Sequence, residues 1–300
     1  MFSGTTLVVF TAGWLALGPR TQAQDGLALG QLSGGQLKEI SGLAASRQHP
    51  GVLWVHNDGK DQRLFAVRTN GQLAAVFRLP LPVEDVEDIA RGPGGPAGTD
   101  FLYVGDIGDN AEERATIRVY RVPEPTPRPG TSPKQPATLT DVETLALRYP
   151  DGPHDAEALL CDPWTSDLYI VTKQKKRARV YRAPADAWTC PGVVLLSFLS
   201  EVPFAQVSAG DISPDGRRLL LRREDAAVMW TRAAGEPMAA ALAKGPLPAA
   251  VMGPPAEPNG EAIAWAPDSQ GYYTLSEGKR QPVYFFNAPP EAASERAASR

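Results

Sequence analysis

The chain has 300 residues, of which 43% are hydrophobic and 21% are charged, a balance that excludes a wholly disordered protein. Its 29 prolines and 28 glycines interrupt the chain too often for a helical bundle and favour short strands joined by turns. The formal net charge of -4 gives no general attraction to nucleic acid or anionic lipid, so no nucleic-acid partner is expected.

The chain begins with an apolar run over residues 7–17, which is too short to span a bilayer. Thr21 and Ala23 then occupy the small-residue positions of a cleavage site. We therefore predict an export signal over residues 1–23, in preference to a retained anchor, and a secreted or periplasmic protein without a membrane span after cleavage. Export permits a disulfide between Cys161 and Cys190, and two free thiols are an equal alternative.

The following segments repeat one pattern five times. Each copy opens with an acid or a serine, then a small or polar residue, then an aliphatic one, which Gly210 replaces in the fourth copy, and two further apolar runs follow. The five opening residues are Ser41, Glu87, Glu157, Ser208 and Glu261. They lie roughly 50 residues apart, except for an interval of about 70 residues after the second, and this spacing is typical of four-stranded propeller blades.

We therefore predict an all-β, five-bladed β-propeller that forms a single domain over residues 24–287. The long interval contains a proline-rich stretch, residues 123–136, which we interpret as a surface loop inserted in the second blade. The last copy has room for only three strands, because residues 288–300 have the composition of a disordered tail. The segment 27–32 would supply the missing outer strand and close the ring. A six-bladed ring, with a blade hidden in the long interval, is the alternative.

The five opening residues should converge on one axis, because the first strand of each propeller blade lines the central channel. Three carboxylates in a partly desolvated channel repel one another, so either their pKa values rise or a cation lies among them. Carboxylate and hydroxyl oxygens suit a hard ion such as Ca²⁺, and the lack of His and Cys argues against zinc. The predicted calcium ligands are Ser41, Glu87, Glu157, Ser208 and Glu261. Acids that merely line a wet channel are the alternative.

The order Ser, Glu, Glu, Ser, Glu around five blades resembles that of the calcium-activated nucleotidases, or apyrases. Residues 38–43 are similar to the first-blade segment of that family, and residues 260–264 to its last-blade segment. The resemblance implies a secreted five-bladed propeller with an axial calcium ion that hydrolyses phosphoanhydrides. The arginine- and aspartate-bearing catalytic loops of the family have no residue-by-residue match here. Residues 40–43 and 155–159 also resemble segments of bacterial esterase-like phytase propellers, which implies phosphate esters as substrates.

Polar loop residues should meet at one mouth of the channel, because the second strands all end on the same face of the ring. An acid or His there can act as a general base, and cations and amides can hold an anion. The predicted catalytic residues are His56, Asp58, Asp106 and Glu277. The predicted substrate-binding residues are Asn57, Asp109, Asn110, His154, Lys173 and Arg222. For each of them, a polar turn that only faces water is the alternative.

Together these features predict an exported, monomeric, calcium-binding propeller that hydrolyses a small phosphate-containing or other anionic ester. A noncatalytic binding module with a structural calcium is the alternative. A six-bladed lactonase-like protein ranks last, because its metal site would use Asn ligands where the repeat offers Ser and Glu. The sequence has no serine-hydrolase elbow, P-loop or dinucleotide fingerprint.

Overall fold

The computed structural model describes residues 26–94, 98–247, 257 and 259–289. It contains five sheets that form the blades of a β-propeller, which confirms the predicted fold class. The innermost strands contact one another in order around the channel, and the last contacts the first, so the ring is closed. The six-bladed alternative is wrong, because the described part of the long interval adds strands to existing sheets and forms no sheet of its own.

The strands are short, as the turn-rich composition predicts. The first part of the chain forms β1 (Leu27–Gln31), β2 (Ile40–Ala45), β3 (Val52–Asn57), β4 (Arg63–Arg68), β5 (Leu73–Arg78), β6 (Val86–Pro93), β7 (Asp100–Asp106), β8 (Ile117–Pro123), β9 (Ala137–Thr138) and β10 (Glu143–Arg148). The second part forms β11 (Ala156–Cys161), β12 (Leu168–Thr172), β13 (Ala178–Ala183), a 3₁₀ helix (Ala185–Thr189), β14 (Val193–Leu195), β15 (Ser197–Val202), β16 (Ala209–Ile212), β17 (Arg218–Arg223), β18 (Ala226–Thr231), α1 (Met238–Ala243), β19 (Gly260–Trp265), β20 (Gly271–Ser276) and β21 (Pro282–Asn287).

From the channel outward, the first blade has the order β2-β3-β4-β5-β9 and the second β6-β7-β8-β10-β14. The third has the order β11-β12-β13-β15, the fourth β16-β17-β18 and the fifth β19-β20-β21-β1. The N-terminal strand β1 is therefore the outer strand of the last blade, where it pairs antiparallel with β21. This confirms the predicted closure, in which backbone hydrogen bonds join the two ends of the propeller.

Two short strands cross between blades in a way that the sequence pattern did not predict. The proline-rich stretch leaves the second blade and leads into β9, which pairs parallel with β5 of the first blade. Within this stretch the Thr131 hydroxyl also accepts a 2.8 Å hydrogen bond from the backbone N–H of Val76 in β5. Likewise β14, which follows the third strand of blade three, pairs parallel with β10 of blade two. Both crossings cover an outer edge that would otherwise expose unpaired backbone groups.

Within the described residues the hydrophobic core consists of five clusters, and each fills the gap between two neighbouring blades. Large fully buried rings anchor these gaps, among them Trp54, Tyr181, Trp230 and Trp265. Burying a side chain of this size contributes roughly 1.5–3 kcal/mol or more relative to leaving it in water. Packing between blades therefore holds the ring together and fixes where the inner strands lie.

The two cysteines are both free thiols, with Cys161 buried and Cys190 exposed, so they do not form the bridge that export would permit. The predicted signal over residues 1–23 lies outside the described residues, as does the predicted tail over residues 288–300 except for its first two residues, of which Ala288 donates a 2.8 Å backbone hydrogen bond to Gln270. Both stay predictions, as does the monomeric state. No helical segment in the described part of the chain has the length and apolar character of a membrane span.

Candidate cation site at the channel mouth

The five opening residues of the repeat lie at the channel ends of the inner strands. In four blades, the register between the first and second strands shifts at this residue. The shifts lie between Ile40 and Leu43, Val86 and Asp88, Ala156 and Ala158, and Gly260 and Ala262. A β-bulge re-aims the side chain of the extra residue. The bulges thus explain why the three glutamates leave the pleat of their blades and come within electrostatic reach of one another.

A lysine lies among these glutamates. The ammonium of Lys173, just after β12, lies 2.7 Å from carboxylate oxygens of Glu157. Its charge also acts on Glu261 and Glu87. Burial lowers the pKa of Lys173, but the attraction of Glu157 and the hydrogen bond to it outweigh burial, so the pKa is raised overall. Lys173 therefore stays charged at neutral pH.

The crowding of the ring carboxylates is visible in their pKa values. Burial, with repulsion from Glu157 and Asp58, raises the pKa of Glu87 to about 10. Burial also raises the pKa of Glu157 to about 8, against the opposing effect of Lys173. The pKa of Glu261 is raised by burial as well, again against Lys173. The single positive charge of Lys173 therefore does not neutralise the three glutamates. Glu87 holds a proton at neutral pH when no further cation is present.

We expect this protonation to make the metal-free protein less stable as the pH rises from 6.5 to about 8. In this window unfolded glutamates are fully ionised, while folded Glu87 and Glu157 retain protons, so the folded state binds more protons and loses stability with rising pH. Buried His56 contributes the opposite slope only below its usual pKa of 6.5, because burial lowers its pKa to about 4.

Melting temperatures measured across this window in the presence of a chelator test the expectation. The Glu87→Gln variant is the control and should decline less steeply. A melting temperature that increases throughout the window would contradict the assignment of protons to these carboxylates.

A group of three carboxylates lies beside the ring, between the first and second blades. Oxygen atoms of Asp58, Asp85 and Glu87 all lie within 4.8 Å of one another. The pair Gly59 and Val86 exchanges backbone hydrogen bonds of 3.3 and 2.9 Å, and this bridge holds Asp58 next to Asp85. Asp58 is exposed, Asp85 is half-buried and Glu87 is buried, so the cluster opens to solvent on one side.

The backbone of Gly108 closes the other side of this cluster. A Cβ atom at Gly108 would lie 2.2 Å from Oε1 of Glu87 and 2.6 Å from Oδ2 of Asp85, so a larger residue here would displace these two carboxylates. Asp106 holds the loop that carries Asp85, because its carboxylate accepts hydrogen bonds of 3.2 and 3.0 Å from the backbone N–H groups of Glu84 and Asp85.

The donor set of this cluster fits a hard divalent cation. Calcium binds oxygen ligands at about 2.3–2.6 Å, so two ligands on opposite sides of one ion lie about 5 Å apart, which agrees with the spacing of the three carboxylates. Burial raises the pKa of Asp58, Asp85 and Glu87, and each is repelled by neighbouring carboxylates. Of the three, Glu87 belongs to the predicted ring, Asp58 to the predicted catalytic set, and Asp85 to neither. The acid-rich run at residues 84–88 was the signal that could have identified it.

The predicted catalytic residues divide into buried and accessible ones. His56 is fully buried, its Nδ1 lies 2.9 Å from the backbone oxygen of Asn57, and a Cβ atom at Gly42 would lie 2.2 Å from its Nε2. Asp106 is also fully buried and pairs with the Arg114 guanidinium at 2.9 Å. Both therefore lie in the wall and not at the mouth where the sequence placed them.

Glu277 and Asp58 are the two predicted catalytic residues that lie at the mouth. Glu277 is half-buried, and its backbone N–H donates a 2.9 Å hydrogen bond to the Asn259 oxygen. Burial and the nearby carboxylates of Glu261 and Asp58 raise the pKa of Glu277.

Most of the predicted substrate-binding residues are engaged within the protein. The Asn57 side-chain oxygen accepts hydrogen bonds from two backbone N–H groups. The Asp109 carboxylate also accepts two, and its own N–H donates a 2.9 Å bond to Asp155. His154 stacks on Tyr181, whose hydroxyl lies 2.9 Å from its Nε2.

Arg222 was also predicted to bind substrate at the mouth, and it too is engaged within the protein. It is 4% exposed, pairs with Glu257 at 3.2 Å and donates a 3.1 Å hydrogen bond to the Ala262 oxygen, so it lies between blades four and five. Asn110 is exposed, and the Lys173 side chain is 31% exposed.

A cavity of about 330 Å³ opens beside Lys173, between the third, fourth and fifth blades. It is lined by Lys173, Ser208 and Glu261 together with Gln206 and residues 223–225 at the end of β17 and in the turn after it. Its volume suits a small molecule at the low end of the range for ligand pockets.

Comparisons with known proteins identify the fold. No family model matches the sequence, and no curated protein is detectably similar to it. Among solved structures, a gluconolactonase from Xanthomonas campestris superposes with a TM-score of 0.50 at 11% identity, over 92% of this chain and 94% of that one. A putative 6-phosphogluconolactonase from Bacteroides uniformis gives a TM-score of 0.41 at 14% identity, over 87% of this chain and 71% of that one.

A chain of a mitotic checkpoint complex gives a TM-score of 0.40 at 12% identity, and the alignment spans 83% of this chain and 63% of that chain. At such low identity these similarities concern the fold. None of the three is a calcium-activated nucleotidase, so the resemblance to that family stays a prediction. The protein has a five-bladed β-propeller fold, and its solved structural neighbours include lactonase-like propellers.

Proposed function

We propose that this protein is a divalent-cation-dependent hydrolase that cleaves small esters at the mouth of its channel. The observation that carries the proposal is the cluster of Asp58, Asp85 and Glu87, whose oxygens lie within 4.8 Å of one another at a mouth open to solvent. A calcium or magnesium ion bound there would supply a Lewis acid for a carbonyl or phosphoryl oxygen. These residues would hold the ion, and Gly108 keeps the space beside them free.

Glu277 is the proposed general base. It lies at the same mouth, half-buried, and the cause of its raised pKa is burial together with Glu261 and Asp58. A raised pKa improves a carboxylate as a proton acceptor near neutral pH, because the best general bases have pKa values close to the working pH. Lys173 donates to Glu157 and, being 31% exposed, can direct another N–H toward an anionic oxygen of the substrate.

The proposed substrates are phosphate-containing or other anionic esters, with sugar lactones included. A lactone is an internal ester, and the same attack by water opens it. The Xanthomonas campestris neighbour is described as a gluconolactonase, which makes lactones a class worth testing on this fold. Carboxylates outnumber cations at the mouth, so an anionic ester would bind best together with the divalent ion. The predicted export signal leads us to propose that the reaction takes place outside the cytoplasm.

Hydrolysis assays on the purified full chain test this proposal. Phosphate release from nucleotides and phytate, and ring opening of gluconolactone, would be measured with added calcium, with chelator, and after refilling with calcium or magnesium. We expect turnover of at least one class, its loss with chelator and its recovery with the ion. No turnover in any of these assays, or turnover that chelator leaves unchanged, would refute the proposal.

A noncatalytic binding module with a structural calcium is the second candidate. The burial of His56 and Asp106 favours it, because two of the four predicted catalytic groups cannot reach a ligand at the mouth. Calcium-dependent thermal stability and saturable ligand binding without turnover would select this candidate over the hydrolase.

A further inference from the structure

Lys173 occupies the part of the channel that the ring of glutamates would otherwise offer to a metal ion. We propose that Lys173 is a tethered cation that fills this axial site, excludes a divalent ion from Glu157 and Glu261, and so confines the ion to the Asp58, Asp85 and Glu87 cluster. The statement about that cluster rests on the proposed function, and the statement about Lys173 does not.

The position of the ammonium is well defined by the fold. The backbone N–H of Lys173 donates a 3.0 Å hydrogen bond to the Asp155 oxygen, which fixes the start of the side chain at the channel end of blade three. The ammonium lies 2.7 Å from Oε1 and 2.7 Å from Oε2 of Glu157, so it contacts both oxygens of one carboxylate. Glu157 lies at a bulge in the same blade, and the two side chains face each other across two neighbouring strands.

An ammonium in this place competes directly with a metal ion. Calcium would need the same Glu157 oxygens at about 2.3–2.6 Å, and two cations on one carboxylate repel each other. The charge of Lys173 also acts on Glu261, and both residues line the 330 Å³ cavity with Ser208. Without the ammonium, Glu157, Glu261 and Ser208 would present oxygen atoms beside an open cavity, which is the donor set of a calcium site.

The carboxylates on the axis and those of the Asp58, Asp85 and Glu87 cluster therefore differ in what neutralises their charge. Glu157 has a covalently tethered ammonium within hydrogen-bonding distance. Among the described residues, the Ser41 hydroxyl donates to the backbone oxygen of Glu87 at 2.5 Å and lies 3.4 Å from its carboxylate, and no lysine or arginine forms an ion pair with that carboxylate. This asymmetry is the reason for placing the divalent ion on the Asp85 side and not on the axis.

Calorimetric titration of the full chain with calcium chloride alone tests the inference. The Lys173→Met variant is expected to gain one calcium site that the wild type lacks, with affinity at least about tenfold above any residual binding there. Adding Glu261→Gln to that variant should remove the gain. Calcium should also raise the melting temperature of Lys173→Met by several degrees more than that of the wild type.

Three further variants control the measurement. Lys173→Arg keeps the positive charge and should bind calcium as the wild type does. Lys176→Met removes the same charge from an exposed position of the same hairpin and should also match the wild type. Lys173→Gln is a second neutral replacement at this half-exposed position and should reproduce the gain, so the test does not depend on the folding of one variant.

Equal calcium binding by the wild type and both neutral Lys173 variants would overturn the inference, as would the same gain in Lys176→Met. The outcome is separable from that of the proposed function. If Asp85→Asn abolishes calcium-dependent turnover and the Lys173 variants gain nothing, the hydrolase stands and this inference fails. If the wild type shows no calcium-dependent turnover and the neutral Lys173 variants gain a site, the inference about the axial position stands alone.

Discussion

Asp85→Asn is expected to lower calcium-dependent turnover about 100-fold or more and to weaken calcium binding in parallel. The substitution keeps the shape of the side chain but removes one of three negative charges that lie within 4.8 Å of one another. A bound divalent ion stabilises developing charge by several kcal/mol, and each 1.36 kcal/mol corresponds to a factor of about ten in rate. The quantities to measure are kcat/KM at saturating calcium and the calcium dissociation constant by calorimetry.

Glu84→Gln is the matched control for this substitution. Glu84 is the neighbouring residue and carries the same charge, but it is exposed and pairs with Arg118 at 2.7 Å, outside the cluster. It should retain wild-type turnover and calcium affinity. If Asp85→Asn behaved like Glu84→Gln, the divalent ion could not be placed on this cluster.

Asp162→Asn is expected to reduce the free energy of unfolding by about 3–5 kcal/mol, because it leaves a buried arginine without its counter-ion. Asp162 follows the inner strand of blade three, and Arg232 follows the last strand of blade four. The guanidinium donates bonds of 2.6 and 2.9 Å to the two carboxylate oxygens, and the side chains are 4% and 1% exposed. Arg232 also stacks on Trp164 at 3.8 Å, so the pair holds two blades together within a packed aromatic contact.

Asp225→Asn provides the comparison for this stability effect. Asp225 pairs with Arg223 at a similar 2.7 Å, but its side chain is 74% exposed. Surface pairs of this kind contribute about 0–1 kcal/mol, so the variant should unfold almost as the wild type does. Urea unfolding of both variants measures the difference. Equal stabilities for the two variants would mean that Asp162 and Arg232 do not tie blades three and four as inferred.

Several features of the fold could be predicted from local patterns alone. The repeat of an acid or serine before three apolar runs identified five inner strands, because each blade must place one polar residue at the channel and bury the runs that follow. The short last copy indicated that β1 would complete the fifth blade, since an open ring would expose the edge of β21. The two crossings by β9 and β14 were not predictable in the same way, because two or three residues that pair with a distant edge carry no periodicity of their own.

The candidate site could be predicted from the sequence only in part. His56 and Arg222 are residue types that could act on a ligand at the channel mouth, but the residues packed around them determine whether their side chains reach it. The Gly42 backbone covers the imidazole, and Glu257 holds the guanidinium between two blades. Asp85 was not among the predicted site residues because it lies outside the repeat. The bridge between Gly59 and Val86 in the folded protein places it next to Asp58.

The periodic part of this protein could be predicted from its sequence, namely the five blades, their inner strands and the strand that closes the propeller. These follow from alternation and spacing, which are properties of consecutive residues. Which charged side chains come into contact depends on the folded arrangement of the blades. Glu157 pairs with Lys173, Glu87 gathers with Asp58 and Asp85, and each partnership joins residues from different strands or blades. Electrostatic energy depends on distance in space and on burial, and neither can be read from the order of residues along the chain.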